Sequence, residues 1–208
     1  MEPGGEHTAP IIRDGTVDDI DTLVDIFVDS FADDPFLNWI MPEPSLYPGF
    51  FRLVIEELFL PRGMVHIEAQ GRGAALWLPP GIHFDVPLRP ALVWMFARLI
   101  LKRGLTPAKR IQQQGSLFSR HLPTEPHYHL LFVGCRNSCK GQGVGSALLK
   151  HGNRIPDGAG ALAYLESSRD INVPLYERHG YEVTAEDTMA GGGPTAWFML
   201  RQPQSPAP

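Results

Sequence analysis

The sequence predicts one α/β domain, with a mixed central β-sheet and helices on both faces. The length of 208 residues suits a single well-buried core. Strand-like apolar runs alternate with helical periods, and a predicted hairpin precedes them, which indicates a mixed sheet. Both ends are rich in Gly, Pro, Ser and Gln, so we expect disordered tails at residues 1–9 and 202–208, around a domain of residues 10–201.

The first half begins with a predicted helix in which Ile20, Leu23, Val24, Phe27 and Phe31 recur at helical spacing. Thr16 and Asp19 resemble a capping box before it, and Pro35 is expected to end it. Next, "MVHIEA" and "AALWLP" flank "QGRG", which predicts an antiparallel hairpin. Residues 88–118 follow as a helical segment. Its part from Ala91 to Leu101 is apolar nearly all round, which predicts burial or the lining of a pocket.

The second half predicts strands and helices in alternation. "HYHLLFVGC" has strand composition and is followed by the glycine-rich "CKGQGVG" and a helix at "SALLKHGNRI". "ALAYLES" predicts a further strand and "NVPLYERHG" a short helix. "YEVTAE" and "TAWFMLR" predict the last two strands.

Composition and charge exclude several functions. A net charge of −5 gives no basic field for nucleic acid, and 43% apolar residues are ordinary for a soluble protein. No run reaches the roughly 18 apolar residues that a membrane span needs. The segment "MEPGGEHTAP" lacks the features of a signal peptide, so we expect a cytoplasmic protein with no membrane partner.

Two patterns suggest metal binding only weakly. Cys135 and Cys139 are not accompanied by a second Cys/His pair at zinc spacing, so we expect idle or buried thiols, with a metal or redox role as the alternative. His127 and His129 would share one face of a strand, and a structural or substrate-facing role is favoured. The sequence therefore predicts no metal site.

The glycine-rich loop between a strand and a helix presents backbone N–H groups at the positive end of a helix dipole, which suits a phosphate. A Walker A loop is disfavoured because Lys140 precedes the glycines and Ser146 follows Gly145. The dinucleotide fingerprint fits Gly141 and Gly143 but fails at Ser146, although Glu166 lies where a ribose-binding acid is expected.

The third use of such a loop is the binding of acetyl-CoA. Residues 140–145, "KGQGVG", resemble the Q/R-x-x-G-x-G/A loop of the GCN5-related N-acetyltransferase family except at the first position. The segment "LESSRDINVPLYERHGYEV" is similar to the family's later strand, loop and helix. The chain departs from the family at Lys140, and at Asn137, where a proline is usual. Lysine can still meet a phosphate as a point charge.

The resemblance implies a set of site residues. Tyr176 would be the general acid for the thiolate, with packing of an aromatic ring as the alternative. Glu166 would be the general base, with a structural acceptor role nearly as well supported, and His129 and His127 as alternatives. Asp33 and Asp34 would anchor a cationic acceptor. The N–H groups of Val133 and Cys135 would stabilise an oxyanion, and Asn172 would hold the cofactor or cap a helix. The residues expected at acetyl-CoA are Val133, Gly134, Cys135, Lys140, Gly141, Gln142, Gly143, Val144, Gly145, Ser146 and Asn172.

These features predict an N-acetyltransferase that moves acetyl from acetyl-CoA to a primary amine of a small molecule by direct attack. Resemblance to antibiotic-acetylating family members extends to "SFADDP", "HLPTEPHYH" and "GGPTAW", over most of residues 12–201. We expect a small-molecule amine as partner and a monomer or homodimer. The alternatives are a protein or peptide amine as acceptor, and a non-catalytic acyl-CoA sensor.

Overall fold

A seven-stranded mixed sheet, with helices on both faces, organises the fold. The computed structural model describes residues 9–204. The strand order is β1-β2-β3-β4-β5-β7-β6, and within the described residues only β4 and β5 pair in parallel. The predicted fold class is therefore confirmed. The strands are β1 Ile12–Asp14, β2 Met64–Glu68, β3 Gly73–Leu78, β4 His127–Cys135, β5 Leu162–Ser167, β6 Tyr181–Thr188 and β7 Thr195–Arg201.

Eight α-helices accompany the sheet in the described part of the chain. They are α1 Ile20–Ser30, α2 Pro35–Ile40, α3 Tyr47–Val54, α4 Leu60–Arg62, α5 Pro90–Arg103, α6 Thr106–His121, α7 Val144–Ala159 and α8 Val173–Glu177, with a π-helical turn Ile55–Phe59 joining α3 to α4. From residue 9 to residue 204, none of the helices is long and apolar enough to cross a bilayer. Disordered tails were expected at residues 1–9 and 202–208. Of these, residues 1–8 and 205–208 lie outside the described residues.

The first half agrees with the predicted hairpin and differs at two places. Strand β1 was not predicted, because three residues carry too little periodicity to stand out, and it pairs with β2. The prediction that Pro35 ends the first helix is wrong: α1 ends at Ser30, and Pro35 begins α2. Proline suits a first helical position because that N–H needs no intrahelical partner. Asp19 accepts the Thr16 N–H at 2.9 Å, as the capping box predicts.

Helix α5 is less buried than its apolar composition predicts. Met95 and Leu99 face the core, but Trp94 is 59% and Leu101 87% exposed. The prediction of burial is therefore wrong for one face of the helix. Near its start, α5 does line a hollow of about 210 Å³, together with Ser45, Leu46, Gly49 and Leu53.

The two faces of the sheet bury different cores. On one face, Trp77 of β3 and Leu130 of β4 pack with residues of α7 and α8. On the other, Phe132 of β4 contacts Phe27 of α1 and Phe51 of α3. A third cluster, around Tyr164 and Phe198, lies beneath α2 and α6. Helix α7, which follows the glycine-rich loop, is thus fixed directly on the central strands.

Candidate active site

The central strands β4 and β5 pair along only part of their length. Their pairing runs from His127 opposite Leu162 to Leu130 opposite Leu165, whereas β4 continues to Cys135. On the other side of β4, Leu76 faces Phe132 and Trp77 faces Leu130, so Leu131 is an extra residue that forms a β-bulge. The bulge and the end of the pairing coincide. A gap therefore opens in the middle of the sheet, edged by the backbone of Leu131–Cys135.

Backbone N–H groups of β4 face this gap. The Arg136 N–H donates to the Arg72 carbonyl next to β3 at 2.9 Å. Because successive N–H groups of a strand point to opposite sides, those of Val133 and Cys135 are directed away from β3 and into the gap. Gly134 lies between them, and a side chain there would collide with Ser30 of α1. These are the strand residues that the sequence predicted for the cofactor.

The glycine-rich loop ends at the start of α7. Gly141 and Gly143 both have a φ of +78°, which glycine adopts without strain, and a side chain at either would meet nothing within 4 Å. The first intrahelical bond runs from the Ala147 N–H to the Gly143 carbonyl. The N–H groups of Val144 and Ser146 thus point out of the helix end, where an anion is stabilised, whereas the Gly145 N–H donates to the Cys135 thiol.

Helix α1 holds the segment in which the loop departs from the family pattern. The Asn137 N–H donates to Asp29 Oδ2 at 2.6 Å, and its Nδ2 donates to the Asp29 carbonyl oxygen at 2.9 Å. These hydrogen bonds to Asp29 fix the backbone at Asn137, where a proline ring would otherwise do so. Lys140 is exposed beside the loop, and the Gln142 Nε2 donates to the Ser138 carbonyl oxygen at 3.2 Å.

His179 contacts the loop, which the sequence did not indicate. Its Nε2 lies 2.7 Å from the Ser146 hydroxyl. Burial lowers the pKa of His179, and the nearby cations Arg178, Arg201 and Lys150 lower it further, so the ring is neutral at pH 7. Thirty-three residues separate His179 from Ser146, and only the packing of α8 against the start of α7 brings them together.

Tyr176 and Asn172 lie at α8, near the loop. Tyr176 is 7% exposed and packs in one cluster with Val133, Cys135 and Val144. Burial, with the nearby Cys135 and Asp34, raises the pKa of Tyr176, so its hydroxyl keeps its proton at physiological pH. Asn172 is the N-cap residue of α8, but its side chain makes no capping hydrogen bond. Its amide is therefore not committed to the helix.

Cys135 is a neutral thiol in this setting. Burial, with a smaller contribution from the nearby Cys139, raises its pKa to about 11. A thiolate is the reactive form of cysteine, so Cys135 is poorly suited to act as a nucleophile near neutral pH.

Glu166 and His129 form a pair where the backbone pairing of β4 and β5 ends. His129 Nε2 lies 2.7 Å from Glu166 Oε2, with side-chain exposures of 17% and 8%. Glu166 immediately follows the last paired residue of β5. His127 and His129 share one face, as alternation predicts, with ring centroids 6.0 Å apart. Burial lowers the pKa of His127, and its Nδ1 lies 2.8 Å from the Glu125 carbonyl oxygen.

The two aspartates expected to anchor a cation have different surroundings. Asp34 is buried and accepts the Leu37 N–H at 2.8 Å as the N-cap of α2, and the Ser168 hydroxyl also donates to it. Its carboxylate is therefore used within the fold. Asp33 has an exposed side chain, and its carbonyl oxygen accepts a bond from Arg169.

Comparison with known proteins gives the class of the fold. No family model matches the sequence. An acetyltransferase structure from Corynebacterium glutamicum, described as histone acetyltransferase HPA2 and related acetyltransferase, is 28% identical with a TM-score of 0.72, over 97% of this chain and 100% of that one. An uncharacterised N-acetyltransferase of Schizosaccharomyces pombe is 27% identical over 177 residues, 74% of this chain and 67% of that protein. Arylalkylamine N-acetyltransferase 2 of Aedes aegypti shares the fold at 10% identity, with a TM-score of 0.62 over 95% of this chain and 100% of that one.

The fold and these similarities define an acetyltransferase with the GCN5-related N-acetyltransferase fold. Acetyltransferases with this fold generally use acetyl-CoA. The bulge in β4, the gap beside β5 and the glycine-rich loop before α7 lie together in this chain.

Proposed function

We propose that this protein transfers the acetyl group of acetyl-CoA to a primary amine of a small molecule, by direct attack of the amine. The observation that carries the proposal is the gap between β4 and β5. N–H groups of β4 are directed into it, the α7 terminus follows that strand, and the Glu166–His129 pair lies where the pairing of β4 with β5 ends.

The donor side of this gap suits acetyl-CoA. Val144 and Ser146 present N–H groups to a pyrophosphate, and Gly141 and Gly143 leave open space for it. The β4 backbone offers hydrogen bonds to an extended, amide-containing arm, much as a neighbouring strand would. When bound, acetyl-CoA supplies an acetyl group activated as a thioester. The N–H groups of Val133 and Cys135 are directed to stabilise negative charge on its carbonyl oxygen.

The pair of Glu166 and His129 supports a role in removing the proton of the amine. At 2.7 Å, the carboxylate fixes the orientation of the His129 ring, and carboxylate and imidazole are both side chains that serve as general bases. Either member can therefore accept a proton, and the two act as one unit. His127 is less suitable, because a backbone carbonyl oxygen lies at hydrogen-bond distance from one of its ring nitrogens and its pKa is lowered.

Tyr176 supports the complementary role of general acid. Its raised pKa means that the phenol still carries, at physiological pH, the proton that it would donate to the departing thiolate. The support for this role is that Tyr176 packs in one cluster with Val133 and Cys135. Direct attack is favoured over an acyl-cysteine route because Cys135 remains a neutral thiol.

The proposed acceptor is an antibiotic or natural-product amine resembling puromycin. The support is the resemblance of "SFADDP", "HLPTEPHYH" and "GGPTAW" to puromycin N-acetyltransferase. We also propose that the protein is cytoplasmic, as expected from the sequence. A protein amine is a second candidate, because the structure at 28% identity is described as histone acetyltransferase HPA2 and related acetyltransferase.

Release of free thiol from acetyl-CoA tests these alternatives. The purified protein is assayed with puromycin, arylalkylamines, aminoglycosides and a basic peptide containing lysine, while calorimetry follows the binding of CoA. Turnover with a small amine supports the proposal. Turnover confined to the peptide favours the second candidate. Binding of CoA without turnover on any amine favours a sensor.

Two matched pairs of variants test the assigned roles. Tyr176→Phe is expected to lower kcat by about 10²–10⁴-fold, with little change in the KM for acetyl-CoA. Its control is Tyr128→Phe, which removes a half-buried hydroxyl from the same cluster. Glu166→Gln is expected to lower kcat similarly, whereas Glu182→Gln, on the exposed side of β6, is not. Wild-type turnover in Tyr176→Phe would remove Tyr176 from the mechanism.

A further inference from the structure

Three side chains that can bind a metal converge at the β1 edge of the sheet, apart from the gap. They are Asp14 at the end of β1, His66 in β2 and His151 in α7, and one donor atom of each lies within 4.8 Å of the others. Asp14 and His66 are register partners of adjacent antiparallel strands, so their side chains share a face. Helix α7 packs on that face and brings His151 to it.

His66 lacks a good hydrogen-bond partner among residues 9–204. It is 1% exposed, and its Nδ1 has no hydrogen-bond partner in the part of the chain that the structure describes. Its Nε2 lies 3.7 Å from Asp14 Oδ1, beyond a direct hydrogen bond. The ring of His151 meets it edge to face, with centroids 4.8 Å apart. A buried imidazole without a direct hydrogen bond to the facing carboxylate is a costly arrangement, and a cation held at its Nε2, between Asp14 and His151, would supply the missing partner at that atom.

We propose that Asp14, His66 and His151 bind a divalent transition-metal ion of the Zn²⁺ type. Two imidazoles with one carboxylate favour zinc and its first-row neighbours, whereas Mg²⁺ and Ca²⁺ take oxygen ligands. Asp14 is the adaptable ligand, because its side chain is 85% exposed and can rotate toward the ion. Water from the exposed side completes the coordination.

The proposed ion fastens α7 to the edge of the sheet. His151 lies seven positions, about two helical turns, after Val144, the first residue of that helix. The site touches neither Tyr176 nor Glu166, so the ion is structural rather than catalytic. This proposal departs from the absence of metal expected from the sequence. Positions 14, 66 and 151 are too far apart to form a motif, and only the β1–β2 pairing and the packing of α7 unite them.

The test uses the full chain, freed of any histidine tag and stripped of metal with a chelator. Zn²⁺ is titrated into it by calorimetry, and thermal unfolding is followed with and without the ion. We expect one Zn²⁺ per chain and a rise in Tm, and no such response to Mg²⁺. Asp14→Asn and His151→Gln are expected to weaken Zn²⁺ binding at least about 10-fold, as loss of a ligand should. Both leave the buried His66 in place, so a change in core packing does not confound the test.

Matched controls separate this site from adventitious binding. Asp18→Asn removes an exposed carboxylate outside the cluster, and His83→Gln removes an exposed imidazole. Both are expected to bind Zn²⁺ as the wild type does. The proposal is overturned if the wild type takes up no Zn²⁺, or if Asp14→Asn and His151→Gln bind it as tightly as the controls. Acetyl transfer is not part of this readout, so the outcome is independent of the proposed function.

Discussion

Replacing Gly152 by alanine tests whether the helix behind the glycine-rich loop is packed on the central sheet. Gly152 lies in α7, and a Cβ built there would be 2.8 Å from each of Trp77 Cε2, Cζ2 and Nε1. Ordinary contacts between carbon atoms are about 3.5–4.0 Å. Trp77 is 0% exposed in β3, so its ring has no free space into which to retreat. The added methyl group must therefore move α7 or strain the ring.

The expected magnitude follows from two opposing terms. Overpacking a well-filled core costs about 1–3 kcal/mol. Alanine in place of glycine within a helix contributes a stabilisation of about 1 kcal/mol. Gly115→Ala provides the control, because Gly115 lies inside α6 and a Cβ there would meet nothing within 4 Å. The stabilisation of the helix by alanine is common to both variants. Their unfolding free energies should therefore differ by about 1–3 kcal/mol, with Gly152→Ala the less stable.

Chemical denaturation of both variants beside the wild type gives this difference directly. A thermal scan should show a difference in Tm of about 2–4 °C for each kcal/mol. If Gly152→Ala is as stable as Gly115→Ala, α7 does not lie against Trp77 as described. The account of how the loop is positioned would then be wrong.

Three other predictions concern the surroundings of the site. Arg201→Met should lower the free energy of unfolding by about 3–5 kcal/mol, because it leaves the Asp157 carboxylate without the guanidinium that binds both its oxygens at 2.6 and 2.9 Å. Asp29→Ala should raise the KM for acetyl-CoA with little change in kcat, because it releases Asn137 before the loop. The profile of kcat against pH should show no decline due to Tyr176 up to about pH 10, because burial raises the pKa of this phenol above its ordinary value.

Each of these predictions has its own control. Arg120→Met breaks an exposed ion pair of 3.7 Å and should cost less than about 1 kcal/mol of unfolding free energy. Asp25→Ala removes an exposed carboxylate from α1, away from the loop, and should leave the KM for acetyl-CoA unchanged. A fall in kcat below pH 10 that disappears in Tyr176→Phe would contradict the raised pKa. Equal effects of Asp25→Ala and Asp29→Ala would contradict the role of Asn137.

The sequence was sufficient to predict the elements whose signal lies in neighbouring residues. The hairpin, the strand before the glycine-rich loop and the short helix at Tyr176 follow from periodicity and glycine placement, and all are present. Gly180, which follows this helix, has a positive φ, a conformation that glycine adopts without strain. The prediction for Pro35 was wrong because a proline can either mark the end of one helix or occupy the first position of the next. Helix α5 was expected to be more buried because apolar composition does not reveal which face finds a partner.

The features that depend on tertiary packing were not predictable. Glu166 and His129 were separate alternatives for the base in the sequence, and only the pairing of β4 with β5 brings them within 2.7 Å. His179 reaches Ser146 through the packing of α8. The raised pKa of Tyr176 was not predictable for the same reason, because it results from burial among residues that are distant in sequence.

Calorimetric titration of acetyl-CoA into the wild type, Gly143→Ala and Gly160→Ala tests the central claim most directly. The two glycines lie at opposite ends of α7, have φ values of +78° and +60°, and would each place a Cβ in open space. Both variants should therefore carry a similar backbone strain of about 1–2 kcal/mol. The account predicts binding of one acetyl-CoA per chain, weakened at least about 10-fold, or about 1.4 kcal/mol, in Gly143→Ala and unchanged in Gly160→Ala. Absence of binding to the wild type, or equal weakening in both variants, would contradict the assignment of the loop to acetyl-CoA.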